Sequence, residues 1–375
     1  MLLADILATR ILRPLNRPAL PLLMTLNVTD RCNCRCSFCD LHSRPAATEL
    51  DMPELEAVFR DPVLRRLRVL RVTGGEPFLR GDLPRLPALV ASHTPARILH
   101  VTTNASMPDR VAEFLEQATI TPLHTQLQIS LDAEGKLHDE LRGAPGLYEK
   151  VIRTLENIQP MLRRRNLSAG VNQTVSADNL DQIEPVHAIA AKFNAAHNVI
   201  LAAKYHEGTD ATRIGPGQNR LPFEPFLPLT RSQIETFYER VGAFSRNSGA
   251  KPGGAARTTR LRRLSDAYLR EGGRNRLLKG ADKPRPTCTA LFNHFRLLAD
   301  GSAAPCTALG ESPAGNVRES SLSEIWRSPR AAGIRRKVRR CRGCWVECDI
   351  SPSAFFSGDI IPYAARNLFV PGRNR

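Results

Sequence analysis

The sequence predicts an α/β fold, a parallel sheet whose strands alternate with helices, followed by a smaller C-terminal unit. Two observations carry this. Residues 20 to 206 repeat one pattern six times, a short apolar or β-branched run and then a stretch with helical spacing. The nine cysteines fall in two groups, one just after the first run and one beyond the last. The runs are Leu22 to Val28, Val69 to Val72, Ile98 to Thr102, Leu127 to Leu131, Ala169 to Val175 and Val199 to Ala203. Helical spacing fills 51–60, 82–92, 108–117, 146–163 and 179–193, and a sixth helix is expected at 230–245. Such alternation implies parallel strands joined by right-handed crossovers. Six units make a partial barrel or an open sheet, and in either one chemistry gathers at the C-terminal strand ends.

Organisation follows from the same reading. Residues 1–19 are an amphipathic segment with Leu2, Leu3, Ile6, Leu7 and Ile11 at helical spacing, expected to cap the barrel's edge, with a peripheral membrane contact as the second reading. Residues 20–245 form the αβ repeat, 246–286 a basic Gly/Pro/Arg linker typified by Lys251-Pro252-Gly253-Gly254, and 287–375 the C-terminal unit, with a helix expected from Leu322 to Trp326.

Composition narrows the class. The 375 residues are 42% hydrophobic and 24% charged, enough to bury a core without disulfides, which excludes disordered and small secreted cysteine scaffolds. No apolar run approaches the roughly 20 residues of a membrane span, and the N-terminus lacks the order of a secretion signal. A cytoplasmic location is expected, where clustered cysteines read as metal ligands. The net charge of +16 is concentrated: 240–285 carries +10 and 327–342 carries +8, so the rest of the chain is slightly acidic. Basic segments of this kind suit an anionic partner or a solvated surface.

In the first cysteine group, Cys32, Cys36 and Cys39 sit on a loop directly after the first strand, with Cys34 between them. Thiolates at short spacings on a loop wrap an iron-sulfur cluster, and three of them leave one iron open. At the end of the second strand lies Thr73-Gly74-Gly75-Glu76-Pro77, whose glycines permit close backbone approach to a ligand. The three cysteines, the aromatic Phe38 before the last of them, and the glycine loop together resemble the radical S-adenosylmethionine (SAM) superfamily. That resemblance implies a partial (β/α)6 TIM-like barrel and a SAM-binding 4Fe-4S cluster on Cys32, Cys36 and Cys39, with Cys34 a bystander. It also implies that the loop of Gly74, Gly75, Glu76 and Pro77 holds the amino group of SAM. Thr102-Thr103-Asn104, Ser130-Leu131-Asp132 and His138 to Gly143 resemble further family segments. By resemblance, Asn104 and Ser130 contact the nucleoside or methionine part, and Arg142 binds the carboxylate, which suits a bidentate guanidinium. Asn172 and Lys204 fall at late strands facing the same mouth, as site residues or as barrel lining.

The second group resembles the auxiliary-cluster domain called SPASM, or twitch in its shorter form. Cys288, Gly301 and Cys306 fit its opening, and Cys341 and Cys344 complete four thiolates for one auxiliary 4Fe-4S cluster. Cys348 is then a fifth thiol or a replacement for Cys344. A zinc site pairing Cys36 and Cys39 with Cys341 and Cys344 ignores the glycine loop.

The implied activity is reductive cleavage of SAM to a 5'-deoxyadenosyl radical that removes a hydrogen atom from a substrate carbon. The implied uses are peptide or protein maturation and oxidation of an anionic sugar-like molecule. An electron donor such as flavodoxin or ferredoxin is an expected partner. With 31 residues before Cys32 there is no room for a fused leader-peptide-binding domain, which weighs against a peptide, while the basic segments weigh toward an anion. The alternative from another class is a non-catalytic iron-sulfur or zinc protein that binds nucleic acid through its arginines. No aromatics cluster beside those arginines to stack bases, which argues against it.

Overall fold

Six parallel strands form where the periodicity marks them: β1 (Leu23–Asn27), β2 (Val69–Thr73), β3 (Ile98–Thr103), β4 (His124–Ser130), β5 (Leu167–Val175) and β6 (Ala196–Leu201). The structure, a computed structural model, describes residues 2–43, 48–204, 224–225, 227–247, 256–281, 283–284, 286–309, 312–341 and 344–369. Register sets Leu26 beside Val72, Val72 beside Val101 and Val101 beside Leu127, all at most 1% exposed. The alternate positions, Thr25, Arg71, His100 and Gln126, form a polar row on the opposite face.

Helices cover the apolar face: α2 (Met52–Phe59), α3 (Leu86–His93), α4 (Pro108–Thr119), α5 (Lys136–Arg142), α6 (Leu147–Ile158), α7 (Ile183–Lys192) and α8 (Arg231–Asn247), preceded by α1 (Leu2–Leu12). Asp51 starts α2 by accepting from the Glu54 amide while Glu54 caps in return. Two expected helices are shorter than their periodicity. Pro84 lies in a 3-10 turn over Leu83–Arg85, so α3 begins only at Leu86. The helix expected to reach 163 ends at Ile158, two residues before Pro160. The short strands β7 (Ala203–Lys204) and β8 (Glu224–Pro225) pair antiparallel beyond β6.

The linker expected over 246–286 contains a 24-residue helix, α9 (Ala256–Lys279), while Lys251 to Gly254 lie outside the described residues. Composition misled because Gly272 and Gly273 are not breaks here. A Cβ on Gly272 would sit 1.7 Å from the Trp345 ring and one on Gly273 2.5 Å from the Tyr238 hydroxyl, so both serve close packing.

After residue 287 the chain adds β9 (His294–Leu297) and β10 (Ala303–Ala304), a hairpin whose turn is Gly301 at φ +87°. Parallel pairing of β9 with β1 makes one eight-stranded sheet ordered β10-β9-β1-β2-β3-β4-β5-β6, so the sheet runs through the expected domain boundary. The helices α10 (Leu322–Arg327), α11 (Pro329–Arg340), α12 (Glu347–Ser357) and α13 (Ile360–Phe369) follow. Phe356 of α12 packs on Leu22, Leu23 and Val69, beneath the N-terminal ends of β1 and β2.

The first helix binds both halves. Its Asp5 pairs with Arg66 and with Arg68 at 3.0 Å, Arg10 donates to the Ser357 carbonyl at 2.7 Å, and Arg13 to the Cys288 carbonyl at 2.8 Å. Leu3, Leu7 and Ile11 stay exposed on its outer face. Among the described residues no helix is long and apolar enough to cross a membrane.

Candidate functional site

The chain from Thr29 to Cys39 and the tip of β2 are bound edge to edge. Gly75 donates its amide to the Thr29 carbonyl at 2.7 Å, and Glu76 to the Arg31 carbonyl at 2.8 Å. A Cβ on Gly75 would lie 2.0 Å from the Arg31 carbonyl oxygen, and one on Gly74, at φ +133°, 2.1 Å from that of Thr29. The close approach expected of these glycines is therefore an approach to the cysteine loop's own backbone.

The Glu76 side chain turns inward and is 1% exposed. It accepts from the Thr103 hydroxyl at 2.7 Å, the Asn104 amide at 2.6 Å and the Phe78 amide at 3.1 Å, which clasps the tips of β2 and β3. Burial raises its pKa to about 7 in spite of those donors. Only the backbone of the loop is left to meet a ligand. Pro77 starts the 3-10 turn that carries the chain away.

The far side of the cysteine loop rests on α5. Arg35 and Ser37 donate their amides to the carbonyls of Arg142 and Leu141, both at 2.9 Å. Cys34 is buried and lies between Cys32 and Cys36, and Cys39 is exposed at the loop's outer end. The Cys34 side chain, within hydrogen-bond reach of both neighbouring sulfurs, lowers Cys32 and Cys36, while the same contacts and burial push Cys34 up. Asn104 donates its side-chain amide to the Cys34 sulfur at 3.1 Å and to Asn33 at 2.8 Å.

Arg142 lies against the cysteine loop. Its Nε donates to Asp132 at 2.5 Å, its Nη1 faces the Cys36 sulfur at 3.7 Å, and its guanidinium lies 5.3 Å over the Phe38 ring. Burial opposes the charged form, yet Asp132 and Cys36 outweigh it and hold the pKa above the usual value. The motif around Asp132 was visible in the sequence, but its pairing needed the turn that brings α5 back over β4. Ser130 ends β4 at the same edge, with Asn172 beside it in register. The Asn172 oxygen accepts from Gln128 at 2.7 Å and Asn198 at 3.3 Å, which supports the barrel-lining reading. The Lys204 side chain lies outside the described residues.

The second thiol group is gathered from separate segments. Cys341 hydrogen-bonds Cys288, Cys306 lies next to Cys288, and Cys344 next to both Cys306 and Cys288. The Cys341 contact and burial hold the Cys288 thiol well above its ordinary pKa, and burial does the same for Cys306 and Cys344. Burial and neighbouring thiols keep Cys288, Cys306 and Cys344 protonated and no disulfide joins any of the four cysteines, a balance that a cationic iron core held there would reverse. Cys348 stands apart, its thiol 3.7 Å from the Thr307 hydroxyl and beside Arg71 and Arg296. Among the described residues no three His, Cys, Asp or Glu side chains group around a single ion. A multi-iron cluster takes its thiolates on separate irons and does not need them to meet at one point.

Comparison with known proteins decides the family. The radical SAM superfamily profile matches residues 26–170, and that of SPASM, an iron-sulfur cluster-binding domain, matches 288–345. The chain belongs to the radical SAM superfamily and carries a SPASM domain. It is similar to the AdoMet-dependent heme synthase of Methanosarcina barkeri, 25% identical over 85% of each chain. It is also similar to the sporulation killing factor maturation protein SkfB of Bacillus subtilis, 24% identical over 86% of this chain and 69% of that one. The solved structure of native anSMEcpe with bound AdoMet shares the fold, with a TM-score of 0.59 at 16% identity over 93% of this chain and 98% of the other. The radical SAM chain is thus an enzyme, and the reading as a non-catalytic protein is set aside. Its cofactors are SAM, the 4Fe-4S cluster that binds SAM, and auxiliary iron-sulfur in the SPASM domain.

Proposed function

We propose that this enzyme removes a hydrogen atom from a substrate carbon at the C-terminal mouth of the sheet, and that Cys32, Cys36 and Cys39 hold the SAM-binding cluster. The cluster and SAM, when bound, supply an electron and a 5'-deoxyadenosyl radical. The protein's residues do the rest. The backbone of Gly74 to Glu76 receives the SAM amino group, and Ser130 lines the bound nucleoside. Asn104 and Arg142 act one step back, fixing the cysteine loop through Cys34 and Cys36. Cys288, Cys306, Cys341 and Cys344 would hold one auxiliary cluster, which would supply an electron path for the substrate, and a flavodoxin- or ferredoxin-like protein is the expected electron donor. Peptide maturation is supported by the named role of SkfB, while oxidation of an anionic sugar-like molecule fits a basic chain.

The observation that carries this reading is the pairing of the glycine loop to the cysteine loop, which puts an open ligand edge beside a three-thiol cluster site. Anaerobically reconstituted protein given dithionite and SAM is expected to release 5'-deoxyadenosine. No release from a loaded, reducible protein sinks the proposal.

A further inference from the structure

The sheet face turned away from the helices has an uneven charge. Strands β1 to β6 and β9 contain no Asp or Glu, and their only Lys or Arg residues are Arg71 on β2 and Arg296 on β9. Both are in register with Thr25 of β1, one on each side, so their side chains leave the same face. Their Cα atoms are about 10 Å apart, and Arg71 lies roughly 7 Å below the strand tips, from strand spacing and rise.

Among the described residues neither guanidinium is ion-paired. Arg71 donates to the Cys348 carbonyl at 2.7 Å, and Arg296 to the Thr307 hydroxyl at 3.0 Å and the Asn27 side chain at 3.2 Å. Asp349 is the acid beside them, and it accepts from the Thr307 amide at 3.0 Å. The first turn of α12 carries Glu347 and Asp349, and of these Asp349 lies beside Arg71, so among the described residues the two guanidiniums outnumber the acid that faces them. Burial works against the charged Arg71. Two cations facing one carboxylate leave an excess positive charge on this inner face, which a further anion would offset.

We infer that Arg71 and Arg296 form a subsite for a carboxylate or phosphate group of the substrate. This rests on the reading above that the substrate enters by the strand tips. It also moves the anion argument from the basic surface segments to the inside of the barrel.

The exposed thiol of Cys348, beside both guanidiniums, is a built-in reporter. In cluster-loaded protein its alkylation by iodoacetate and by iodoacetamide is followed by peptide mass mapping. Both reagents are attacked by the same thiolate with loss of iodide, so a change in thiol ionisation cancels in the ratio of rates. That ratio is expected to fall on the order of tenfold in Arg71→Gln/Arg296→Gln, and to be kept in Arg71→Lys/Arg296→Lys. Inorganic phosphate at constant ionic strength should lower the wild-type ratio; acetate lowering it more than phosphate marks a carboxylate subsite, and the reverse a phosphate one. An unchanged ratio in the Gln variant, or no effect of either anion on wild type, overturns the inference. So does an unreactive Cys348, which would put that thiol on a cluster. If the Gln variant does not load clusters, anion competition in the wild type decides alone. Release of 5'-deoxyadenosine is read separately, and its failure would sink the enzyme mechanism while leaving the ratio to stand or fall by itself.

Discussion

The two cysteine groups solve the same problem in opposite ways. The first is one loop, with its four thiols inside residues 32 to 39 and Cys39 exposed at the mouth. The second is assembled from segments spread over residues 288 to 344, and Cys306 and Cys344 are each 5% exposed. A loop can keep its shape when its cluster is lost, because its backbone is fastened to Thr73–Glu76 and to α5. A site built from distant segments has no such support, so a metal held there would be part of the fold. The open group suits a cluster that must take a ligand, and the closed group one that only passes electrons.

Removing each set of ligands is the strongest way to break this contrast. Cys32→Ala/Cys36→Ala/Cys39→Ala should remove about half of about eight irons per chain and abolish 5'-deoxyadenosine release. Its melting temperature should stay near that of the parent. Cys306→Ala/Cys344→Ala should also lose about half of the iron, but melt about 10 °C lower, since several kcal/mol of metal-linked folding energy is gone. Equal melting losses, measured anaerobically beside iron content, would erase the difference between the groups.

Gly75→Val probes how the open group is held. Its new Cβ collides with the Arg31 carbonyl and with Asp30, both backbone, so the cysteine loop must shift. A displacement of about 1 Å at a reacting centre costs about 100-fold, so 5'-deoxyadenosine release should drop by at least about that factor. The auxiliary iron should be untouched. An unaffected rate would mean that the two loops are not coupled as their hydrogen bonds indicate.

The open group was the more legible of the two because its information is local. Spacing along eight residues and two glycines at a strand end mark Cys32, Cys36, Cys39 and the glycine loop in the sequence, and backbone hydrogen bonds join the two loops in the fold. The six strands followed from periodicity. What the sequence hid was non-local: β9 completing the barrel's edge, the pairing of Arg142 with Asp132, and the direction of Cys348 toward Arg71 and Arg296. Helix α9 was hidden for a different reason. Its glycines and arginines match the composition of a linker, and only Trp345, more than 70 residues away, explains Gly272.

Acid should weaken the closed side through His294, on β9. Burial, with Arg71 and Arg296 nearby, lowers its pKa to about 4 although Asp349 opposes this, and its Nε2 has no hydrogen-bond partner among the described residues. The unfolded chain takes up this proton first, so stability is complete above about pH 6.5 and is lost as pH falls toward the folded value. At pH 5 the loss should be about 2 kcal/mol at most from this group. His294→Gln should flatten the melting temperature between pH 7 and pH 5 relative to the parent, and an identical slope would remove His294 from the account.

The smallest effects are expected on α11, where the sequence suggested a run of arginines recruiting an anion. Arg335 does not belong to that surface. It is 2% exposed, donates to the carbonyls of Leu291 at 3.3 Å and Trp326 at 2.9 Å, and lies 5.9 Å over the Trp326 ring. Arg335→Gln should cost about 1–3 kcal/mol, because two carbonyls lose a charged donor. Arg336, Arg339 and Arg340 are exposed on the same helix. Changing these three to Gln should alter stability by no more than about 0.5 kcal/mol and leave iron content unchanged. With the anion subsite inside the barrel, the triple variant should also keep its KM once a substrate is in hand. A KM that rises in this variant, and rises likewise with salt in the parent, would return part of the recruitment to the surface, since exposed charges are screened within about 8 Å at physiological ionic strength.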